Sequence, residues 1–334
     1  MLTATITGPR RSALIELADP RPRPGWSVVD VRVAPLCTEF AAYVAGTEGH
    51  HQGHEAMGVV SETFEGSALH VGQRVVAMPL LGCGRCTLCR SGDYIYCPIG
   101  VPGEEPLGTL RQRIRKPDRL LIPVPDDLSD ADASLACCAL GASFGAFERT
   151  GAAGPDTILI TGLGAVGLGA VVNAVTRGCR VIAVEGNPYR AKLARELGAD
   201  LVVAPSADAV ETIVDATHGA GVEVAVECSG AAAAQRVCVE AVRRRGQIAF
   251  VGNSFGETHL RLSPDLIFTG VTMFGSWHYN LAAAPRLLQM IERNRHLVGR
   301  LVTHRYPLSR LSAAWETQAT GQCGKVLIDV ASAA

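Results

Sequence analysis

The chain has 334 residues, which is enough for two domains, and its 48% hydrophobic content can supply large cores. A net charge of −1 and a pI near 6.7 give no reason to expect binding to nucleic acid or to an anionic membrane. The densest basic run, Arg243–Arg245, is interpreted as the end of a helix, where cations face the negative end of the dipole. No apolar stretch is long enough to span a membrane and Met1–Thr3 begins no signal peptide, so we expect a soluble, cytoplasmic protein.

The first third of the chain has short β-rich runs broken by proline and glycine, which predicts an irregular antiparallel β domain. These runs are Thr3–Thr7, Ser27–Val33, Met57–Ser61 and Gln73–Met78, and strand character returns between Arg111 and Val124. A helix is expected from about Ser129 to Arg149.

The pattern changes after Pro155, where β-branched runs are mostly separated by helical stretches. This rhythm predicts a doubly wound parallel sheet with strands at Thr157–Thr161, Arg180–Val184, Leu201–Val203, Val222–Glu227, Gln247–Val251 and Val271–Phe274. Asn187 suits the N-cap of its second helix and Gly198 the position after its end. Beyond Trp277, a helix near Ala282–Asn294 and a β-rich tail (Leu301–Tyr306, Lys325–Val330) no longer follow this rhythm.

A glycine-rich turn follows the first strand of that sheet and opens a helix. It reads Gly162-Leu163-Gly164-Ala165-Val166-Gly167, which matches the dinucleotide fingerprint GxGxxG. Gly162 permits a tight turn, Gly164 lets the backbone approach a pyrophosphate, and Gly167 lets helix and strand pack closely. The unpaired N–H groups of the helix N-terminus favour phosphate there. A loop that merely needs glycines is the alternative interpretation.

Glu185 ends the second strand, 23 residues after Gly162. An acid at about this offset hydrogen-bonds the adenosine ribose and repels a 2′-phosphate. The sequence therefore favours NAD over NADP.

Four cysteines lie in one short loop, spaced C-x2-C-x2-C-x7-C: Cys83, Cys86, Cys89 and Cys97. Four thiolates can close a tetrahedral Zn²⁺ site with no open position, which makes such a site structural. Two disulfides or four buried thiols are the alternatives. The cytoplasmic composition disfavours disulfides, and the charged loop disfavours burial.

A second metal site can be assembled from distant residues. Cys37 follows a strand, His54 and Glu55 lie in Gly53-His-Glu-Ala-Met-Gly58, and Cys138 lies next to Cys137 in a small-residue helix. Two cysteines and a histidine can be the three protein ligands of a catalytic zinc site, with a water in the fourth position. Zinc in such a site acts as a Lewis acid toward an alcohol or carbonyl. A satisfied core histidine and two small buried cysteines explain the same residues.

Taken together, these motifs resemble the zinc-dependent medium-chain dehydrogenase/reductase family, the alcohol and polyol dehydrogenase superfamily, over nearly the whole chain. The cysteine loop at 83–97 matches the structural zinc lobe of the family in every spacing. The GHExxG segment corresponds to its second zinc ligand, His54, with Glu55 beside the metal. The segment from Cys138 to Ala146 resembles its third-ligand helix, which selects Cys138 over Cys137. Arg190 stands where a basic residue contacts the adenosine ribose.

The resemblance implies an α/β fold with a GroES-like, β-rich catalytic domain and a Rossmann coenzyme domain. Residues 1–138 would form the catalytic domain with its zinc lobe, 139–277 the coenzyme domain, and 278–334 a return to the catalytic domain. The tail, with Gly275-Ser-Trp277, Leu301-Val-Thr-His304 and Gly324-Lys-Val326, is most similar to the polyol, threonine and aminocyclitol dehydrogenases.

Two departures from the family pattern concern the substrate side of the site. The family usually places Ser or Thr two residues after the first ligand to pass the substrate proton toward solvent, but Glu39 stands there, after Thr38. Thr38 or Glu39 could relay the proton, or Glu39 could be a solvated glutamate. The interval from Cys37 to His54 is also short, and it contains His50 and His51. These two histidines are interpreted either as substrate contacts or as surface histidines.

The expected activity is reversible, NAD-linked oxidation of a secondary alcohol on a polyol, sugar or cyclitol-like substrate, with one catalytic and one structural Zn²⁺ per chain. The expected partners are an alcohol or ketone and a second copy of the chain, in a homodimer or homotetramer, with no nucleic acid and no membrane. The alternatives are an NADPH-dependent carbonyl or enone reductase and a non-catalytic protein that binds NAD and zinc.

Overall fold

The computed structural model describes residues 1–49, 51–101, 108–254 and 256–331. Its strands are β1 (Leu2–Gly8), β2 (Arg11–Glu16), β3 (Trp26–Pro35), β4 (Ala56–Glu62), β5 (Arg74–Ala77), β6 (Arg113–Pro117), β7 (Leu121–Pro123), β8 (Thr157–Thr161), β9 (Arg180–Val184), β10 (Leu201–Val203), β11 (Val222–Glu227), β12 (Val242–Phe250), β13 (Thr272–Gly275), β14 (Val302–Pro307) and β15 (Lys325–Asp329).

The helices are α1 (Glu39–Ala45), α2 (Thr87–Arg90), α3 (Asp130–Ser134), α4 (Gly141–Thr150), α5 (Ala165–Thr176), α6 (Pro188–Glu196), α7 (Ala209–Ala216), α8 (Ala232–Ala241), α9 (Ala284–Arg293), α10 (Arg295–Val298) and α11 (Leu311–Thr320). A π-helical segment covers Leu262–Ile267. Within the described segments, every helix is too short or too polar to cross a lipid bilayer.

The chain divides into two compact units. One contains Met1–Cys137 and Asn280–Ala334, and the other contains Cys138–Tyr279.

The first unit is built on a seven-stranded sheet in the order β14-β15-β3-β4-β5-β7, with β6 also paired to β3, and has a separate β1-β2 hairpin. β3 pairs antiparallel with both β4 and β15. Buried aliphatic side chains of these strands form its core with Tyr43 and Trp315. The predicted antiparallel β fold is confirmed, whereas β2, α1 and α11 were not predicted.

The second unit is a six-stranded parallel sheet in the order β10-β9-β8-β11-β12-β13. Counted from β8, this is the order 3-2-1-4-5-6 of a dinucleotide-binding fold, which reverses direction between β8 and β11. Four of the six predicted strands have the predicted bounds. The expected caps of α6 are also confirmed, because the Asn187 side chain accepts hydrogen bonds from Tyr189 N and Arg190 N, and Gly198 has a φ of 103°. The α/β fold class is therefore correct.

The single helix expected at Ser129–Arg149 is wrong, because the chain forms α3 and α4 with turns between them. All six residues from Leu135 to Leu140 are buried. A Cβ on Gly169 would lie 1.7 Å from Ala139 O, so α5 packs directly against this turn. Tertiary packing overrides helix propensity here.

The interpretation of Arg243–Arg245 as a helix end is also wrong. α8 ends at Ala241, and the three arginines lie in β12. They are exposed, and Arg243 Nε lies 3.2 Å from Glu223 Oε1. An ion pair with a neighbouring strand therefore replaces the expected interaction with a helix dipole.

Candidate active site

The ends of two paired strands, β3 and β4, bring the first candidate ligands together. Cys37 comes just after β3, while His54 and Glu55 come just before β4, which pairs with it. Gly58 makes this pairing possible, because a Cβ there would lie 2.2 Å from Asp30 O. Gly53 has a φ of 84° and turns the chain into the segment that carries His54 and Glu55.

Cys138 completes the cluster. The ligand atoms of Cys37, His54, Glu55 and Cys138 all lie within 4.8 Å of one another. The neighbouring residue Cys137 is fixed by a hydrogen bond from its Sγ to Ala77 O. Burial raises the pKa of the Cys137 thiol to about 12, which marks it as an inert packing residue.

His54 is held from behind by Glu39. Nδ1 of His54 lies 2.7 Å from Glu39 Oε1, so the imidazole is in direct contact with this carboxylate. Glu39 Oε2 accepts a hydrogen bond from Cys37 N at 2.8 Å. Burial alone would raise the pKa of Glu39, but His54 and this N–H hold it below its ordinary value. Glu39 is only 9% exposed, so the interpretation as a solvated glutamate is wrong.

The donor set suits a divalent cation of intermediate softness. Two thiols, an imidazole and a carboxylate gather negative charge at one point, and such sets bind Zn²⁺. Burial disfavours a charged His54, but contacts with Cys37, Glu39 and Glu55 raise its pKa to about 11. A metal ion would replace that proton and satisfy the same negative charges. The residues present therefore fit zinc.

Lys325 and Gln318 also reach this cluster, although their positions in the sequence predict no role for them there. Lys325 Nζ lies 2.6 Å from Glu55 Oε1, and both side chains are almost fully buried. Gln318, on α11, donates from Nε2 to Cys37 O at 3.0 Å. The sequence offered one indication of this contact. Lys325 begins the apolar strand β15, and a buried charge at that position needs a partner.

Thr38 is exposed, beside Cys37. It occupies the N-cap position of α1, but its side chain makes no capping hydrogen bond. Its hydroxyl is therefore not committed to the helix end. His51 is exposed as well, and His50 lies outside the described residues.

The cysteine loop forms a second cluster in which all four sulfur atoms lie within 4.8 Å of one another. Cys83 Sγ and Cys89 Sγ are 4.0 Å apart, and Cys86 Sγ and Cys97 Sγ are 3.7 Å apart. Zinc–sulfur bonds of ~2.3 Å in a tetrahedron place the sulfur atoms about 3.8 Å apart. The loop fits a four-thiolate zinc site.

Neither alternative for this loop agrees with the structure. A disulfide needs sulfur atoms about 2.05 Å apart, and all four cysteines are free thiols. Three of the four are only half-buried, so the loop is not a set of buried thiols. Backbone N–H groups also point at sulfur, from Cys83 to Cys97 Sγ and from Cys86 to Cys83 Sγ, and such bonds stabilise thiolates.

The three glycines of the fingerprint have the geometry that their predicted tasks require. Gly162 has a φ of 78°, and a Cβ on Gly167 would lie 1.9 Å from Gly162 O. A Cβ on Gly164 would meet no atom within 4 Å, so open space lies over the start of α5. Ala165 and Val166 begin that helix. This space at the helix N-terminus fits a pyrophosphate.

Glu185 and Arg190 lie beside that turn. Glu185 Oε2 accepts from Leu163 N and Oε1 from Asn187 N, both at 2.7 Å, which fixes the carboxylate against the fingerprint. Arg190 Nε is buried, and within the described structure it has no hydrogen-bond partner. A buried guanidinium N–H without an acceptor fits a site that a ribose hydroxyl would complete.

Comparisons with known proteins agree with this geometry. Residues 23–126 match the alcohol dehydrogenase GroES-like domain, and residues 165–293 match the zinc-binding dehydrogenase family. Together these two matches cover more than half of the chain.

Similar proteins span nearly the full chain. An L-threonine 3-dehydrogenase from Symbiobacterium thermophilum is 30% identical over 95% of this chain and 94% of its own. A sorbitol dehydrogenase from Halalkalibacterium halodurans is 28% identical over 92% of this chain and 93% of its own. The solved structure of the alcohol dehydrogenase TADH from Thermus sp. ATN1 is 26% identical, covers 99% of this chain and 100% of its own, and has a TM-score of 0.91.

The fold, the two matched domains and these full-length relatives lead to one assignment. The chain belongs to the zinc-dependent medium-chain alcohol dehydrogenases, oxidoreductases that act on CH–OH groups.

Proposed function

We propose that this enzyme oxidises a secondary alcohol of a polyol, sugar or cyclitol-like substrate to a ketone, reversibly and with NAD. The observation that carries the proposal is the convergence of four ligand atoms, from Cys37, His54, Glu55 and Cys138, within 4.8 Å. The relatives named for sorbitol and threonine support the substrate class, because both compounds carry secondary hydroxyl groups.

Cys37, His54 and Cys138 would hold the catalytic zinc. Zinc bound there would supply the Lewis acidity that lowers the pKa of an alcohol, and NAD would take up the hydride. Glu39 is better suited to orienting His54 than to accepting a proton, since its two oxygens already face His54 and Cys37 N. A carboxylate behind a ligating histidine fixes its ring and tautomer.

Thr38 is the better candidate for the proton relay. It is adjacent to Cys37, exposed, and free of capping hydrogen bonds, so its hydroxyl can accept a proton from the substrate while donating its own toward water. This role needs a hydroxyl and no charge.

NAD is the proposed cofactor, in preference to NADP. The Glu185 carboxylate is held in place by two backbone N–H groups and cannot easily turn away from a 2′-phosphate. Arg190 would contact the adenosine ribose. The same carboxylate disfavours the NADPH-dependent reductase.

The cysteine loop would hold a second, structural zinc. We further propose that the unit with the seven-stranded sheet is the catalytic domain and the unit with the parallel sheet is the coenzyme domain. A cytoplasmic location would keep all eleven cysteines, each a free thiol, in the reduced form that binds metal.

We propose that the chain forms a homo-oligomer through a surface at the edge of the parallel sheet. β13 is an edge strand, and Leu262, Ile267 and Phe268 on the preceding segment are each at least 64% exposed. An open edge beside exposed apolar side chains is typical of a surface that pairs with another chain. A second copy of the chain is the proposed occupant.

Cys138→Ser and Cys137→Ser are matched variants of neighbouring thiols. We expect the Cys138 variant to lose one of about two zinc ions per chain and at least about a hundredfold in kcat, because a serine hydroxyl is a poor zinc ligand. NADH binding should persist. The Cys137 variant should keep both the zinc and the activity. Metal analysis and NADH formation on a polyol panel measure these effects, and full activity of Cys138→Ser would refute the site.

Thr38→Val removes the proposed relay hydroxyl at constant volume. We expect kcat to fall by about a hundredfold, with unchanged zinc content, because general acid–base assistance is worth at least that much. Thr38→Ser should recover most of the rate. Equal rates for the valine variant and the native enzyme would exclude Thr38 as the relay.

Arg190→Met should weaken NADH binding about tenfold or more, as expected for the loss of a hydrogen bond from a charged donor. Lys192→Met, on the same helix, changes a lysine that is 78% exposed and should leave binding unchanged. Titration of NADH fluorescence compares the two variants. Equal affinities would show that Arg190 makes no contact with the cofactor.

Ile267→Asp tests the proposed interface. Ile267 is 66% exposed, so the substitution should leave the fold intact while placing a charge in an apolar contact. Sedimentation equilibrium should show an assembled native protein and a variant of lower mass. A native protein that sediments as a monomer would contradict the interface.

A further inference from the structure

Glu55 is the fourth member of the first metal cluster, yet it is engaged elsewhere. Its Oε1 lies 3.9 Å from Nε2 of His54 and 2.6 Å from Nζ of Lys325. Glu55 and Lys325 are 0% and 1% exposed, so neither can exchange its partner for bulk water. The carboxylate is therefore shared between a metal-binding cluster and a buried ammonium.

A carboxylate so close to a zinc site is a competent ligand for the metal. Asp and Glu oxygens bind zinc directly, and a buried carboxylate gains from any nearby cation. With Glu55 added to Cys37, His54 and Cys138, four protein ligands would close the coordination shell. A closed shell is typical of a structural site and leaves no position for a substrate oxygen.

Lys325 lies where it can prevent this. It begins β15, which runs antiparallel to β3, and its register places Leu327 opposite Pro35. Continuing that register brings Lys325 level with Cys37. The neighbouring Gly324 N donates to Thr303 Oγ1 at 2.9 Å, which fixes the backbone on its other side. The register of the sheet thus places the Lys325 ammonium next to the Glu55 carboxylate.

We propose that Lys325 is a positioning residue that keeps Glu55 out of the metal ligand set and so holds one coordination position open for the substrate. The inference rests on the proposed metal site at Cys37, His54 and Cys138. The buried ion pair of Glu55 and Lys325 then has a role in catalysis. Stability alone does not explain it, because apolar side chains can often replace a buried ion pair without loss of stability.

Lys325→Met removes the ammonium and keeps an unbranched side chain. In the cobalt-substituted protein, we expect the visible d–d spectrum to change, because an oxygen ligand joins the shell. Chelator-induced zinc release from the Cys37 cluster should become slower by about tenfold, the lower end of the effects seen around metal ligands. kcat should fall while NADH affinity stays unchanged. Lys325→Arg, which keeps the charge, should preserve the native spectrum.

Glu55→Gln provides the second arm and keeps a side chain of the same shape. If Lys325 holds Glu55 away from the metal, this variant should show the native cobalt spectrum. Combined with Lys325→Met, it should abolish the spectral change, since the competing carboxylate is gone. The double variant also leaves no lone buried charge, so it serves if Lys325→Met alone does not fold.

A changed cobalt spectrum in Glu55→Gln would overturn the proposal, because Glu55 would then be a ligand in the native protein. So would a native spectrum with zinc release at the native rate or faster in Lys325→Met. The spectral and release measurements need no substrate. A native protein that binds cobalt at this cluster but oxidises no alcohol would therefore contradict the proposed function and leave this test intact.

Discussion

The antiparallel pairing of β3 with β4 and β15 is the constraint on which the candidate site depends. It brings the end of β3 and the starts of the other two strands to one edge of the sheet. Cys37, the pair His54 and Glu55, and Lys325 therefore meet there, although these three positions are separated in the sequence. Gly58 matters for this reason, since any larger residue would push the β4 backbone away from Asp30. The chemistry of the site follows from sheet register.

The candidate ligands at this edge of the sheet are in contact with further buried charged side chains. The cluster itself contains two thiols, an imidazole and the carboxylate of Glu55, and the buried carboxylate of Glu39 contacts the imidazole at Nδ1. Burial raises the pKa of Glu55 to about 7, although Lys325 opposes the rise, whereas contact with His54 and Cys37 N lowers the pKa of Glu39. The two glutamates therefore differ in environment and suit the different tasks proposed for them: Glu39 would orient a metal ligand, and Glu55 would be a potential ligand restrained by a cation.

The fold class and most of the strands could be predicted from the sequence because each depends on a local pattern of residues. The fingerprint glycines, the caps of α6 and the cysteine spacing each specify geometry within a few residues. Glu39 was harder, because whether a glutamate is solvated or buried behind a histidine depends on contacts made across the sheet. Lys325 and Gln318 could not be assigned for the same reason, since they lie some 270 and 281 residues from their partners. The helix at 129–149 failed because packing against Gly169 decides its path.

The site proposed at the edge formed by β3, β4 and β15 requires a bound metal ion. X-ray diffraction from crystals of the zinc-loaded protein, recorded on both sides of the zinc absorption edge, tests it directly. We expect two anomalous peaks per chain, one among the sulfur atoms of Cys83, Cys86, Cys89 and Cys97, and one within bonding distance of Cys37, His54 and Cys138. A single peak in the cysteine loop, with none beside His54, would contradict it.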